Sequence, residues 1–244
     1  MRKILETLGI VHLIRWTRSL FGVTPETLSR KYFSKMQPWL IKNYMSQPGL
    51  KKLQIGAQSN SIEGWLNVDL EPKEEHVVYM DATKPFPFKS NSVDYVFSEH
   101  MIEHVSFEEA DFMLSECMRI LKPEGKIRLA TPNILTVANI LIDPDHSDHQ
   151  VYIKHYHDRF MDRSLPIDPV YVVNKLFYSF DHRFIHGSST LNYLLSKHGF
   201  KTIEEFPVGK SDDPVLTGIE QHANEMGEIP NKVETLVIQA IKNA

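Results

Sequence analysis

His100, Glu103 and His104 stand at the spacing H-x-x-E-H, inside the stretch SEHMIEHVS that covers residues 98–106. On an α-helix that spacing puts two imidazoles and a carboxylate on one face, which is how one class of zinc peptidase holds its metal. The neighbouring residues argue against it. Residues 93–98, VDYVFS, read as a strand that stops just short of His100, so the helical turns a zinc site needs are missing. A second group of aspartates and histidines lies at 143–149, but Pro144 and the polar spacing read as a solvated loop. No metal site is expected.

The surrounding elements must therefore position these side chains for other work. After the turn signal Gln47-Pro48-Gly49 come short apolar runs. Residues 52–56 form a strand ending in Gly56. Residues 65–69 form a second, ending in Asp69. Residues 77–81 form a third, ending in Asp81, and 94–98 a fourth. Residues 107–121 have a helical stripe of Phe112, Leu114, Cys117, Met118 and Leu121. Lys122–Gly125 reads as a turn in which Gly125 takes the positive φ. Residues 126–131 form a fifth strand. Ser188–His198 is a helix closed by Gly199. Residues 202–207 and 234–240 are two closing strands expected to pair antiparallel, and the segment 211–231 between them is loop-like. Strands alternating with helices imply an α/β fold with a mostly parallel sheet. Ligands of such sheets bind beyond the carboxyl ends of the strands, here at Gly56, Asp69, Asp81, Ser98 and His100.

Composition bounds the rest. The chain has 244 residues, 42% hydrophobic and 24% charged. That suits one sizeable domain, which we place at 49–244, preceded by a helical extension at 1–48. Cys117 is the one cysteine, so no intrachain disulfide forms, in keeping with a cytoplasmic setting. No apolar run reaches the roughly 20 residues of a membrane span, and the N-terminus does not read as a signal peptide. Charge is uneven. Residues 1–52 hold ten basic and two acidic residues, a formal +8, against −12 in the remainder. Such a basic segment suits either contact with an anionic membrane face or pairing with the acidic body. No nucleic-acid partner is expected.

Taken in order, the motifs QIGAQ, GWLNVD, YMDATKPFPFKSNSVDYVFSEHMIEH and ECMRILKPEGKIRLATPN resemble the class I S-adenosylmethionine (SAM)-dependent methyltransferases. More narrowly, they resemble small methyltransferases of bacterial surface-polysaccharide gene clusters. The likeness runs from residue 51 to about 133 and is looser over 188–244. It implies a Rossmann-like class I methyltransferase sheet with SAM as cofactor. It implies that Gly56, Ala57 and Gln58 take the methionine part, Asp69 the ribose hydroxyls, and Asp81 with Ala82 the adenine. Ser98 and His100 would lie under the methyl-transfer centre, and residues 134–187 would form an insertion on the acceptor side.

Two departures matter. The family's G-x-G-x-G loop reads Gly56-Ala57-Gln58-Ser59-Asn60, so a positive φ at Gln58 would cost on the order of 1 kcal/mol. The first two connections are shorter than the ~10–12 residues of a helical crossover, so turns should replace those helices. The implied reaction is methyl transfer to an oxygen of a sugar or other small or glycan acceptor. A base is then needed where the acceptor carries a proton. His100 is the foremost candidate, followed by His104, His155, His157 and His186, with His104 expected to pin the start of its helix. The alternative is a non-catalytic protein of the same fold that serves as a binding or scaffold subunit in glycan assembly. A nicotinamide dehydrogenase is disfavoured, because the loop has one glycine and Asp69 follows too soon.

Overall fold

The computed structural model describes residues 38–243. The helices expected over 1–37, and any surface contact of that basic segment, lie outside the described residues. Seven strands form one sheet: β1 (Lys52–Ile55), β2 (Leu66–Asp69), β3 (Val78–Tyr79), β4 (Val93–Glu99), β5 (Leu121–Pro132), β6 (Phe200–Glu205) and β7 (Thr235–Lys242). Their order is β3-β2-β1-β4-β5-β7-β6. β1 to β5 run parallel, and β7 lies antiparallel between β5 and β6. This is the Rossmann-like class I methyltransferase arrangement, with order reversing between β1 and β4. The helices are α1 (Phe107–Ile120), α2 (Ile134–Ile142), α3 (Ser147–Phe160), α4 (Pro169–Tyr178), α5 (Ser188–Lys197), α6 (Ala223–Met226) and α7 (Glu228–Glu234).

Side chains alternate across the sheet, as the twofold period of a strand requires. Val93, Val96, Ile127 and Leu129 join the main core with Met113, Leu114 and Cys117 of α1 and Leu191, Leu194 and Leu195 of α5. Trp65, Phe97 and Leu216 form a smaller core with Tyr95 and Ile219. Arg128 is fully buried and paired with Glu220, and its Nη1 donates to Gln239 Oε1 at 2.6 Å. Phe112 is excluded from the stripe of α1 and faces solvent, while Ala110 and Met113 take the buried places.

No residue from 56 to 92 is helical, so turns do replace the first crossovers. Residues 38–46 are helical and supply cover from elsewhere. Ile41 sits in the main core, with Leu40, Tyr44 and Met45 against it. The Tyr44 hydroxyl accepts from the Lys52 amide at 2.9 Å. Gln47–Gly49 is thus a turn within the packed body, and the division drawn there from sequence is not a break in packing.

Three local readings need correction. Segment 211–231 is not all loop: α6 and most of α7 lie in it. The 143–149 group is only partly loop, because α3 starts at Ser147. Residues 122–125 bulge out of a continuous β5, between the pairs Val93–Leu121 and Tyr95–Lys126. Within that bulge Glu124 takes the positive φ of 63°, not Gly125. Gly125 is required for space instead, since a Cβ there would lie 2.8 Å from the Lys122 carbonyl oxygen.

Candidate active site

The H-x-x-E-H residues occupy two different backbone settings, neither of them α-helical. β4 ends at Glu99. His100 leaves it with a φ of 45°, held by its amide donating to the Ala130 carbonyl at 2.9 Å. A left-handed histidine costs about 1–3 kcal/mol and persists only where its surroundings enforce it. Ile102–His104 then make one 3₁₀ turn. The α-helix begins only at Phe107, where Ser106 and Glu109 form a reciprocal capping box. His104 is therefore outside α1 and does not pin its start. Its ring packs edge-on to His182, with centroids 4.9 Å apart.

Two cavities open at the carboxyl edge of the sheet. The first, about 480 Å³, is lined by Gly56, Gln58, Asp69, Asp81, Ala82 and Thr83, among others. Gly56 has a φ of 79°, and a Cβ on it would lie 2.5 Å from Met101 Cγ. The glycine thus lets the β1 exit pass Met101, a packing reason that the family motif does not reveal. Gln58 does take a positive φ, of 42°. Its amide donates to Asp69 Oδ2 at 2.9 Å, while the Glu71 amide donates to Asp69 Oδ1 at 2.7 Å. Both oxygens keep acceptor capacity for a ligand. Asp81 Oδ1 accepts from the Thr83 amide and hydroxyl at 2.9 and 2.7 Å, which leaves Oδ2 for the cavity.

Two expected cofactor contacts are not on this wall. Ala57 is fully buried, its amide donating to Val68. Ser98 is buried with its hydroxyl unpartnered. Neither side chain lines a strand-end cavity. In β4 the pleat turns Ser98 inward, while Glu99 and His100 after it reach the cavities.

The second cavity, about 330 Å³, is lined by Glu99, Glu103, Tyr156, Phe160, Phe180, His182, His222 and Glu234, among others. Residues 134–187 contribute the tyrosine, both phenylalanines and His182. Gly56, Gln58, His100, His104 and Asp181 line both cavities. The two spaces therefore meet at the end of β4.

His100 is tightly constrained. Its Nε2 lies 3.2 Å from Thr235 Oγ1, and that hydroxyl donates to Asn231 Oδ1 at 2.8 Å. The hydroxyl proton is thus committed, and His100 Nε2 is the donor. Nδ1 faces two carboxylates, Glu103 Oε1 at 3.3 Å and Glu234 Oε1 at 3.8 Å. Burial opposes the charged ring, but Glu103 first, then Glu234 and Glu99, raise its pKa above the ordinary histidine value. Burial likewise opposes the charged form of Glu103, yet His100 and His104 hold its pKa well below the usual carboxylate range. His100 is consequently a donor on both nitrogens or a ligand, and it is poorly suited to accept a proton.

Of the other histidines proposed from sequence, only His104 reaches the cavities. His155 leans on Phe160 with centroids 6.3 Å apart. His157 lies on the buried face of α3, with Nε2 2.9 Å from the Leu165 carbonyl. His186 is fully buried, and burial pushes its pKa down to about 4. None of these three lines either cavity. Sequence reasoning missed His182 and His222, which do. His182 Nδ1 donates to the Leu176 carbonyl at 2.6 Å, so Nε2 carries the lone pair. Burial lowers its pKa. A neutral, oriented imidazole of this kind is equipped to take a proton.

Residues 59–129 match the family model described as a methyltransferase domain. No curated protein matches the chain in sequence. Among solved structures, a SAM-dependent methyltransferase from Archaeoglobus fulgidus is 18% identical, with a TM-score of 0.46, covering 93% of this chain and 98% of that one. A phosphoethanolamine N-methyltransferase of Haemonchus contortus in complex with SAM is 18% identical, with a TM-score of 0.45 over 86% of this chain and 53% of that one. A SAM-dependent methyltransferase from Thermotoga maritima is 16% identical, with a TM-score of 0.44, covering all of both chains. The matched residues run from the β1–β2 connection into β5 and so include Asp69, Asp81 and the whole β4 exit. The sheet order is that of the Rossmann-like class I methyltransferase fold, and over residues 59–129 the chain is similar to a methyltransferase domain.

Proposed function

We propose that the chain transfers the methyl group of SAM to an oxygen of a hydroxyl-bearing small or glycan acceptor. The observation that carries this reading is the meeting of two cavities at Gly56, Gln58, His100, His104 and Asp181. SAM would occupy the first, its ribose on Asp69 and its adenine on Asp81. The acceptor would occupy the second. Aromatic faces at Tyr156, Phe160 and Phe180, beside Glu103 and Asp181, supply the apolar planes and acceptors that suit a polyhydroxylated ring. The sulfonium is already activated, so alignment does most of the work. His182 Nε2 takes the hydroxyl proton as the oxygen–methyl bond forms and the sulfur–methyl bond breaks, leaving S-adenosylhomocysteine.

Calorimetry with SAM, then mass analysis of sugar acceptors for one added methyl, tests the reading. Binding followed by methylation of a hydroxyl supports it; SAM binding with product only on nitrogen or carbon acceptors overturns the oxygen assignment. The left-handed Gln58 in place of a loop glycine favours one other reading, a scaffold subunit without catalysis. Absence of any SAM binding would select that scaffold.

The +8 segment 1–52 supports docking to the anionic cytoplasmic face of a membrane, where lipid-linked glycans would be presented. Among the described residues no helix is long and apolar enough to cross a bilayer. Vesicles rich in anionic lipid should pull down the full chain; failure to do so removes the docking.

A further inference from the structure

We propose that His100, His222 and Glu234 form a binding site for a first-row divalent cation in the wall of the second cavity. One donor atom from each lies within 4.8 Å of the others. Glu234 is 3% exposed, and its Oε2 is fixed by two tyrosine hydroxyls, Tyr152 at 2.6 Å and Tyr156 at 3.1 Å. Its Oε1 is left facing His100 Nδ1 at 3.8 Å and His222 Nε2 at 3.7 Å. Those separations are too long for hydrogen bonds. They lie a few tenths of an ångström outside the donor spacing around a tetrahedral cation, where bonds of about 2.1 Å put donors about 3.4 Å apart.

Three further features point the same way. His222 Nε2 is buried without a hydrogen-bond partner, and so is Glu103 Oε1, which lies 3.3 Å from His100 Nδ1. Among the described residues no lysine or arginine pairs with Glu103 or Glu234, so the buried negative charge is met by histidines alone. The outer shell is already built. His100 Nε2 donates to Thr235, which leaves Nδ1 as the ligating nitrogen, and the two tyrosines orient the carboxylate. The His222 backbone is tied down where its amide donates to Glu99 Oε1 at 3.0 Å. The two imidazoles stack with centroids 3.6 Å apart at 23°, so one ring must rotate for both nitrogens to meet the same ion.

Two imidazoles and one carboxylate favour Zn²⁺, Co²⁺, Fe²⁺ or Mn²⁺ over Mg²⁺ or Ca²⁺. Further coordination positions would face the cavity. On the methyl-transfer reading, and only there, an acceptor hydroxyl bound at such a position would lose its proton to His182 more readily.

The test uses the full chain, stripped with chelator and titrated with Co²⁺ alone, followed by visible absorption. A saturable ligand-field band at one equivalent is expected. Glu234→Gln and His222→Ala should each weaken Co²⁺ binding at least about 100-fold, since each removes an inner ligand. His182→Ala should leave it unchanged. Thermal unfolding of each variant checks folding, and Co²⁺ should raise the Tm of the parent but not of Glu234→Gln. No saturable band, or parent-like affinity in both ligand variants, overturns the site. So does loss of the band in His182→Ala, which would move the metal to the neighbouring Glu103–His104–His182 group. None of these readouts depends on methyl transfer, so failure of the metal site and failure of the proposed function are separable.

Discussion

The two cavities at the sheet edge are built by opposite strategies. The first takes its polar groups from just beyond the ends of β1, β2 and β3, within residues 56–83: Asp69 ends β2, Gly56 follows β1, and Asp81 lies two residues past β3. The second collects Glu99 to His104 from the β4 exit, Tyr156 from α3, His182 from the loop after α4, His222 before α6 and Glu234 at the end of α7. Backbone amides hold the acids of the first: Asp69 by Gln58 and Glu71, Asp81 by Thr83. In the second, Glu99 is held by the Gln221 and His222 amides, but other side chains hold the two deeper acids: Glu234 by two tyrosines, Glu103 by the Thr131 hydroxyl at 3.0 Å. A site braced by backbone is local and robust. A site braced by side chains from distant segments is only as precise as the packing of all of them.

Substitutions can separate the two. His182→Ala should have the largest effect, lowering kcat about 10²–10⁴-fold while the SAM affinity measured by calorimetry stays put. A parent-like kcat would remove His182 as base. Gly56→Ala acts on the shared wall. It forces a Cβ against Met101 at an unfavourable φ and should cost about 2–5 kcal/mol of stability, read by denaturant unfolding. Asp69→Asn should weaken SAM binding about 10–100-fold, by loss of charge-assisted hydrogen bonds, with little change in acceptor KM. A matching rise in acceptor KM would show that the cavities are not independent.

The pH dependence sharpens the acceptor side. His182 must be neutral to act, and its pKa is lowered, so kcat should rise with pH through a limb below the ordinary histidine value of 6.5 and then level off. His182→Ala should abolish that limb. The smallest effect belongs to Gln58→Gly. Relief of the left-handed conformation, offset by added chain entropy, should shift stability by no more than about 1 kcal/mol. A large gain in SAM affinity in that variant would mean that the glutamine side chain obstructs the first cavity.

The same contrast explains what could be read from the chain. The strand exits near Gly56, Asp69 and Asp81 were legible because a strand shows a twofold pattern and the chain must emerge at the edge, but the third strand is shorter than its pattern: β3 stops at Tyr79, two residues before Asp81. The antiparallel closing pair and the shortened crossovers were legible for similar local reasons. The bend at Glu124 was misplaced because glycine is the usual left-handed residue, whereas here space, not φ, demands Gly125. His182 and His222 were not legible. Each stands in an irregular segment, and what orients it is a carbonyl, a carboxylate or a ring supplied by the fold. His155, His157 and His186 drew attention as clustered histidines, but α3 and the segment before α5 turn them away from the cavity. Their one available clue was the helical period across 147–160, which places Tyr152 and Tyr156, not His155, on the buried face.

β7 lies inside the sheet, between β5 and β6, and Glu234 immediately precedes it. The order of assembly follows from that placement. Until β7 inserts, β5 has an open edge, and buried Arg128 lacks its Gln239 partner. A chain emerging from the ribosome can therefore complete the parallel strands that carry the first cavity well before it can close the second. Refolding should recover the ability to hold SAM earlier than the ability to turn over. The interval between them is when the exposed β5 edge is most open to pairing with another copy.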